Sequence, residues 1–236
     1  MPLLTVAKIL ILSFFIFKIN LQKTTMSDMH PLVISKITRN TPNAVLISFE
    51  VPESEKERFR FEAGQYLSLE TNINEKAVRR SYSICSAPSE GLQVGIKEVP
   101  EGLFSTFANR SLNEDDQMMV APPDGRFLYV SSGQAQTLAA FAAGSGITPV
   151  MSILKTALMD HPENRFHLVY GNKTPKDTMF YQELKDLEKT FNGRLSIQWV
   201  FMDESQGWNH QQGTMLYWNP HQPDFLLIKS LLSLTN

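Results

Sequence analysis

The chain has 236 residues, 42% hydrophobic and 19% charged, with a formal net charge of −2. That length accommodates one large domain or two small ones with separate cores, and that composition belongs to a folded globular chain. The near-neutral charge argues against a nucleic-acid binder. The single cysteine, Cys85, excludes an intrachain disulfide and a four-thiolate iron–sulfur cluster held by this chain alone.

Residues 3–19, LLTVAKILILSFFIFKI, are almost wholly apolar, with Lys8 inside and Lys18 at the edge. A bilayer span needs roughly 20 apolar residues, and a central lysine costs about 2.5–3.5 kcal/mol. Three readings of residues 1–28 stand: a membrane anchor, a start misplaced upstream of Met26 or Met29, and a cleaved signal. The last lacks a small-residue cleavage site. Membrane contact is expected only if residues 3–19 are a real anchor; otherwise the protein is expected in the cytoplasm.

Residues 29–130 read as short strands. LVISKITR and AVLISFEV flank the turn residues Asn40, Thr41, Pro42 and Asn43, and QYLSLET, RSYSIC and LQVGIKEV follow. One helix is expected in LFSTFANRSL, with Leu103, Phe107 and Leu112 on a shared face. Closely spaced antiparallel strands of this kind suggest a small β-barrel or sandwich.

The rhythm changes at SSGQAQ, residues 131–136, a polar linker. TLAAFAAG reads as a strand ending in glycine. ITPVMSILKTAL is helical, with Ile147, Val150, Met151, Leu154 and Leu158 on one face. FHLVYG is a second strand, FYQELKDLEKTF a helix with Phe180, Leu184, Leu187 and Phe191 aligned, and LSIQWVF a third strand. This alternation is the grammar of a parallel sheet with covering helices. The expected fold is therefore an N-terminal antiparallel β-barrel over 29–130 and a parallel-sheet α/β domain over 131–236, incomplete after about residue 204.

Two stretches carry chemistry. AAGSGITP sits where a strand hands over to a helix. Gly144 and Gly146 permit a sharp turn, Ser145 and Thr148 offer hydroxyls, and Pro149 suits the first helical turn. The unpaired amides there favour an anion, although the full G-x-G-x-x-G pattern is missing. The next strand ends in YGNKTPKD. Asn172, Lys173 and Lys176 at its tip would tolerate a 2′-phosphate where an acidic residue would favour the free hydroxyl, so NADPH is expected slightly ahead of NADH. In VRRSYSICSAP, Arg80, Tyr82 and Ser83 supply a cation, a flat ring and a donor, which a flavin requires. Strand alternation aims Arg80 and Tyr82 to one side and Ser83 to the other.

The order Arg-x-Tyr-Ser, IKEVPEGLFST, PPDGRF, GSGITP and LVYGNK, over about residues 31–204, resembles the ferredoxin–NADP reductase superfamily. It is similar above all to the reductase components of oxygenases of the phenylacetyl-CoA type. The resemblance implies a flavoprotein in which NAD(P)H gives a hydride to FAD, which passes electrons singly to a ferredoxin or an oxygenase component. It implies that Arg80 binds the FAD pyrophosphate, Tyr82 stacks on the isoalloxazine and Ser83 bonds near N5, the last two being the catalytic pair. Ile96 and Lys97 would pass the nucleotide half of the flavin, and Gly102 and Ser105 would place a helix N-terminus at the pyrophosphate. Gly144, Gly146, Thr148 and Pro149 would form the nicotinamide nucleotide loop. No metal site is expected. The family's Cys-Gly-Pro motif is missing, as are the cysteines of the [2Fe–2S] domain, and residues 215–236 do not read as a continuation of the fold. A truncated or frame-shifted product is the expected explanation, a short reductase with a degenerate end the alternative.

Overall fold

The structure is a computed structural model that describes residues 29–201 and, for the backbone alone, Phe225–Lys229. The apolar N-terminal stretch lies outside the described residues. Among those described, no helix is long and apolar enough to cross a membrane.

The first domain is an antiparallel six-stranded sheet of β1 (His30–Thr41), β2 (Ala44–Glu50), β3 (Tyr66–Ile73), β4 (Lys76–Ser83), β5 (Leu92–Lys97) and β6 (Gln117–Val120). Its order is β4-β3-β6-β1-β2-β5, and a bridge between Ile84 and Val94 joins the ends into a barrel. Leu32, Ile34, Ile47, Leu67, Leu69 and Ile96 fill the interior and are fully buried. The β3–β4 hairpin turns on Asn74 and Glu75, both with positive φ (51° and 63°). Two consecutive left-handed residues match the right-handed twist of the strands they join. That turn fixes the register: Leu69 faces Arg80 and Leu67 faces Tyr82. A one-residue slip would send Arg80 and Tyr82 to the opposite face.

Helix α1 (Leu103–Arg110) follows β5. Its inner face is Phe104, Ser105, Ala108 and Asn109, not the expected stripe of Leu103, Phe107 and Leu112. Leu103 is 43% exposed, while Phe107 and Leu112 pack only at the edge of the core. Two of the four inner positions are polar, and they are buried because they hydrogen-bond locally, a pattern that apolar spacing does not detect. The Asn109 side chain donates to the Ile96 carbonyl at 3.1 Å.

The second domain has parallel strands β7 (Thr137–Ala143), β8 (Arg165–Asn172), β9 (Leu195–Phe201) and β10 (Phe225–Lys229), in the order β10-β7-β8-β9. Helices α2 (Ile147–Asp160) and α3 (Tyr181–Thr190) make the crossovers. The expected faces are observed: Ile147, Val150, Met151, Leu154 and Leu158 of α2 are at most 1% exposed. Pro162 ends α2, because the residue before a proline is driven out of the helical region; His161 is extended, with φ −140° and ψ 134°. One expectation is corrected. Phe225–Lys229 pairs in parallel with Thr137–Phe141, so part of the segment 215–236 does extend the sheet. Pro220 and Pro223 in the preceding stretch hid that strand from pattern reading.

The two domains share apolar packing. Ala44, Leu46, Ala63 and Cys85 of the barrel belong to the same buried cluster as Ile147, Val150 and Leu154 of α2. The polar linker is also held down. Tyr129 and Ser131 both donate to Asp160 near the end of α2, at 2.8 and 2.7 Å.

Candidate functional site

A cavity of about 690 Å³ opens between the domains. Its volume lies within the roughly 300–1,000 Å³ of ligand sites. Four consecutive residues of β4, Arg80 to Ser83, form one wall, with Gly95 and Lys97 of β5 and Gly102 to Ser105 at the start of α1. Ser145, Gly146, Thr148 and Pro149 form the facing wall, and Phe127 also lines the cavity.

On the barrel wall each residue has a structural cause. Arg80 is exposed, and its guanidinium is braced by donating to the Arg79 carbonyl at 2.7 Å. Tyr82 rests on Phe104 with ring centroids 5.5 Å apart. Burial pushes the Tyr82 phenol up to about 12, against the opposing charge of Arg80; the ring is therefore neutral at ordinary pH. Ser83, the last residue of β4, lines the same cavity as Tyr82, although alternation puts them on opposite faces. The regular ladder stops there, and Ile84 crosses to Val94 instead.

The Gly102-x-x-Ser105 pair is a loop device. The Ser105 hydroxyl donates to the Gly102 carbonyl at 3.1 Å and accepts from the Val99 amide at 3.2 Å. A Cβ on residue 102 would collide with Ser105 Oγ and Val99 Cγ2, so the turn requires glycine. No side chain caps the first turn of α1, which leaves its amides for an anion. Gly95 is needed for close approach: a Cβ there would lie 2.9 Å from Met179 Cε and Thr148 Cγ2.

Three expected site residues lie elsewhere. Ile96 has its side chain fully buried in the barrel core, between the cavity-lining Gly95 and Lys97, so only its backbone faces the cavity side of the strand. Strand alternation turns it inward. Gly144 is next to the cavity wall without lining it; it holds φ 52°, and its carbonyl accepts from the Tyr170 hydroxyl at 2.8 Å. Lys173 stands exposed on the loop after β8, outside the cavity, while Asn172 is buried. Lys97 does line the cavity, yet its Nζ donates to the Asp177 carbonyl at 2.9 Å, reaching from the barrel to that same loop. Burial depresses the Lys97 ammonium, Asp177 counters this, and the nearby Lys173 adds to the depression. Phe127 was not singled out by sequence; the PPDGRF motif that contains it was the available signal.

A barrel that aims a guanidinium, an aromatic ring and an uncapped helix start at a cavity closed by a strand–turn–helix has the build of a two-domain nucleotide-binding oxidoreductase. The volume and the donor set fit an extended dinucleotide with a flat ring.

Comparison with known proteins agrees. Residues 31–129 match the oxidoreductase FAD-binding domain and residues 141–228 the oxidoreductase NAD-binding domain. The chain is 37% identical over 182 residues to one of the subunits of the 1,2-phenylacetyl-CoA epoxidase of Escherichia coli K12, covering 76% of this chain and 51% of that protein. It is 32% identical over 169 residues to the ferredoxin reductase component of 3-ketosteroid-9-alpha-monooxygenase of Rhodococcus rhodochrous, covering 70% and 47%. The FAD/NAD-binding domain of the nitric oxide dioxygenase of Vibrio cholerae shares the fold, with TM-score 0.64, 20% identity, and 89% and 82% of the two chains covered. The chain belongs to the FAD- and NAD-binding oxidoreductases of the ferredoxin–NADP reductase superfamily, and it spans about half the length of the curated relatives it matches.

Proposed function

We propose that the protein is an NAD(P)H-dependent flavoprotein reductase that passes electrons to a one-electron carrier, a ferredoxin or an oxygenase component. The observation that carries this reading is one cavity shared by the two matched domains, with the FAD-binding domain on one side and the strand–helix turn of the NAD-binding domain on the other. When bound, FAD supplies the ability to take a hydride and return electrons one at a time. The chain's own residues bind and orient. Arg80 and the first turn of α1 neutralise the pyrophosphate. Tyr82 offers the flat face, and Ser83 is the hydrogen-bonding group for flavin N5. Gly146, Thr148 and Pro149 receive the nicotinamide nucleotide, with Gly144 holding the turn. The Rhodococcus relative is the ferredoxin reductase component of a monooxygenase, which supports an acceptor of that kind.

The cofactor choice rests on charge. Lys173 and Lys176 are exposed on the loop after β8, with Lys97 behind them, and three cations near one loop favour the 2′-phosphate of NADPH. Reconstitution with FAD, then turnover with an artificial one-electron acceptor under NADPH and NADH in turn, tests the reading. Saturable oxidation with NADPH preferred is expected. A chain that takes up no FAD would overturn it.

A further inference from the structure

One face of α2 touches the barrel at regular intervals. Thr148, Ser152 and Lys155 recur at i, i+4 and i+7, the spacing of neighbours along a helix side. Thr148 packs over Gly95 so closely that a Cβ there would meet its methyl. The hydroxyl of Ser152, itself fully buried, donates to the Ser86 carbonyl at 2.6 Å. The ammonium of Lys155, also buried, lies 2.7 Å from Glu90 and 3.1 Å from Glu183. At 1.5 Å per residue these contacts form a rail of about 10 Å. It begins at the cavity wall and ends on the far side of the domain interface.

The last contact joins three elements. Glu90 lies in the connection between β4 and β5, Lys155 in α2 and Glu183 in α3. Glu90 is no loose surface carboxylate, because the same Oε2 accepts from the Ala87 amide at 2.7 Å. Burial alone would lower the Lys155 pKa, but Glu183 and Glu90 outweigh it and raise it; the charge is fixed at working pH. The lysine is buried but its two carboxylates are 43% and 39% exposed, so solvent screening leaves the pairing little net stability. What it adds is location: an apolar side chain can slide along an apolar surface, whereas two carboxylates from different elements define a point.

We propose that Lys155 is a positioning residue for hydride delivery: by tying Glu90 of the barrel to Glu183 of α3, it fixes the angle at which α2 presents the Gly144–Pro149 turn to the flavin wall. The proposal rests on the cavity being where a nicotinamide nucleotide reduces FAD. Ser152 acts as the fulcrum, so release at Lys155 tilts the helix start at the cavity in the opposite sense. A shift of about 1 Å at the reacting atoms can cost on the order of 100-fold in rate.

The test compares the wild-type chain with Lys155→Met, Lys155→Arg, Glu90→Gln and Glu183→Gln, all loaded with FAD. Rapid mixing with saturating NADPH reads the rate of flavin reduction. Titration calorimetry reads the affinities for FAD and for 2′-phospho-AMP. In Lys155→Met the reduction rate is expected to fall by about 10- to 100-fold, with both affinities within about twofold of wild type and most of the rate recovered in Lys155→Arg. The two Gln variants keep one carboxylate each and should slow by a smaller factor; they carry the test if Lys155→Met does not fold. A purely stabilising role would lower the melting temperature and leave the reduction rate of the folded protein unchanged, which would overturn the proposal. A wild-type chain that binds FAD but is not reduced would overturn the reading of the cavity itself, a failure visible before any variant is made.

Discussion

The two walls of the interdomain cavity are built on different terms. The β4 part of the barrel wall presents side chains, Arg80 and Tyr82, whose facing is set by the two-residue turn at Asn74–Glu75 that locks the register of the strand. The nucleotide wall acts through backbone: a tight turn at Gly144–Gly146 and the first amides of α2, with Tyr170 buried beneath and donating to the Gly144 carbonyl. Truncating a side chain should therefore damage the first wall, and adding a Cβ should damage the second.

The largest effect is expected on the side-chain wall. Arg80→Ala removes a charge-assisted hydrogen bond worth about 1.5–3 kcal/mol, so FAD should bind about 10- to 150-fold more weakly by fluorescence titration. On the backbone wall, Gly144→Ala adds a Cβ with nothing within 4 Å, at φ 52°. The cost is strain in the left-handed region alone, about 1–2 kcal/mol. Affinity for NADPH should fall by about 5- to 30-fold while FAD binding holds. If both affinities fall together, the two walls are not independent.

Legibility in the sequence divides along the same line. The Arg-x-Tyr-Ser element is legible because its residue types are unusual for a plain strand, Gly-x-x-Ser only through the family resemblance, and the faces of α2 and α3 because apolar spacing is periodic. The inward turn of the Ile96 side chain is not legible in a motif match, which carries no information on which way a strand residue points. The α1 face was misjudged because Ser105 and Asn109 are buried by hydrogen bonds rather than by hydrophobicity. Strand β10 was missed because parallel pairing with β7 is a long-range fact with no local signature. The contact of Glu90 with Lys155 joins residues far apart in the chain; no local pattern announces it.

A smaller effect sharpens the cofactor choice. Lys173→Glu should weaken NADPH about tenfold relative to NADH, since it replaces attraction by repulsion at an exposed site. Equal losses for the two nucleotides would make Lys173 an ordinary loop lysine.

The smallest effect concerns alkaline stability. Tyr82 and Tyr129 are both pushed up to about 12, chiefly by burial, with hydrogen bonding to Asp160 adding at Tyr129. A phenol that holds its proton more tightly in the folded chain contributes stability that is complete below about pH 10 and lost as pH rises towards 12. Chemical denaturation should show stability declining across that window. Tyr129→Phe should flatten the decline; an unchanged slope would contradict the assignment.

Whether one cavity brings FAD and a nicotinamide nucleotide together is decided by anaerobic titration of the FAD-loaded chain with NADPH. The oxidised flavin absorbance should bleach in proportion to added NADPH and reach full reduction near one equivalent. Bound FAD that keeps its oxidised spectrum under excess NADPH and NADH would contradict it.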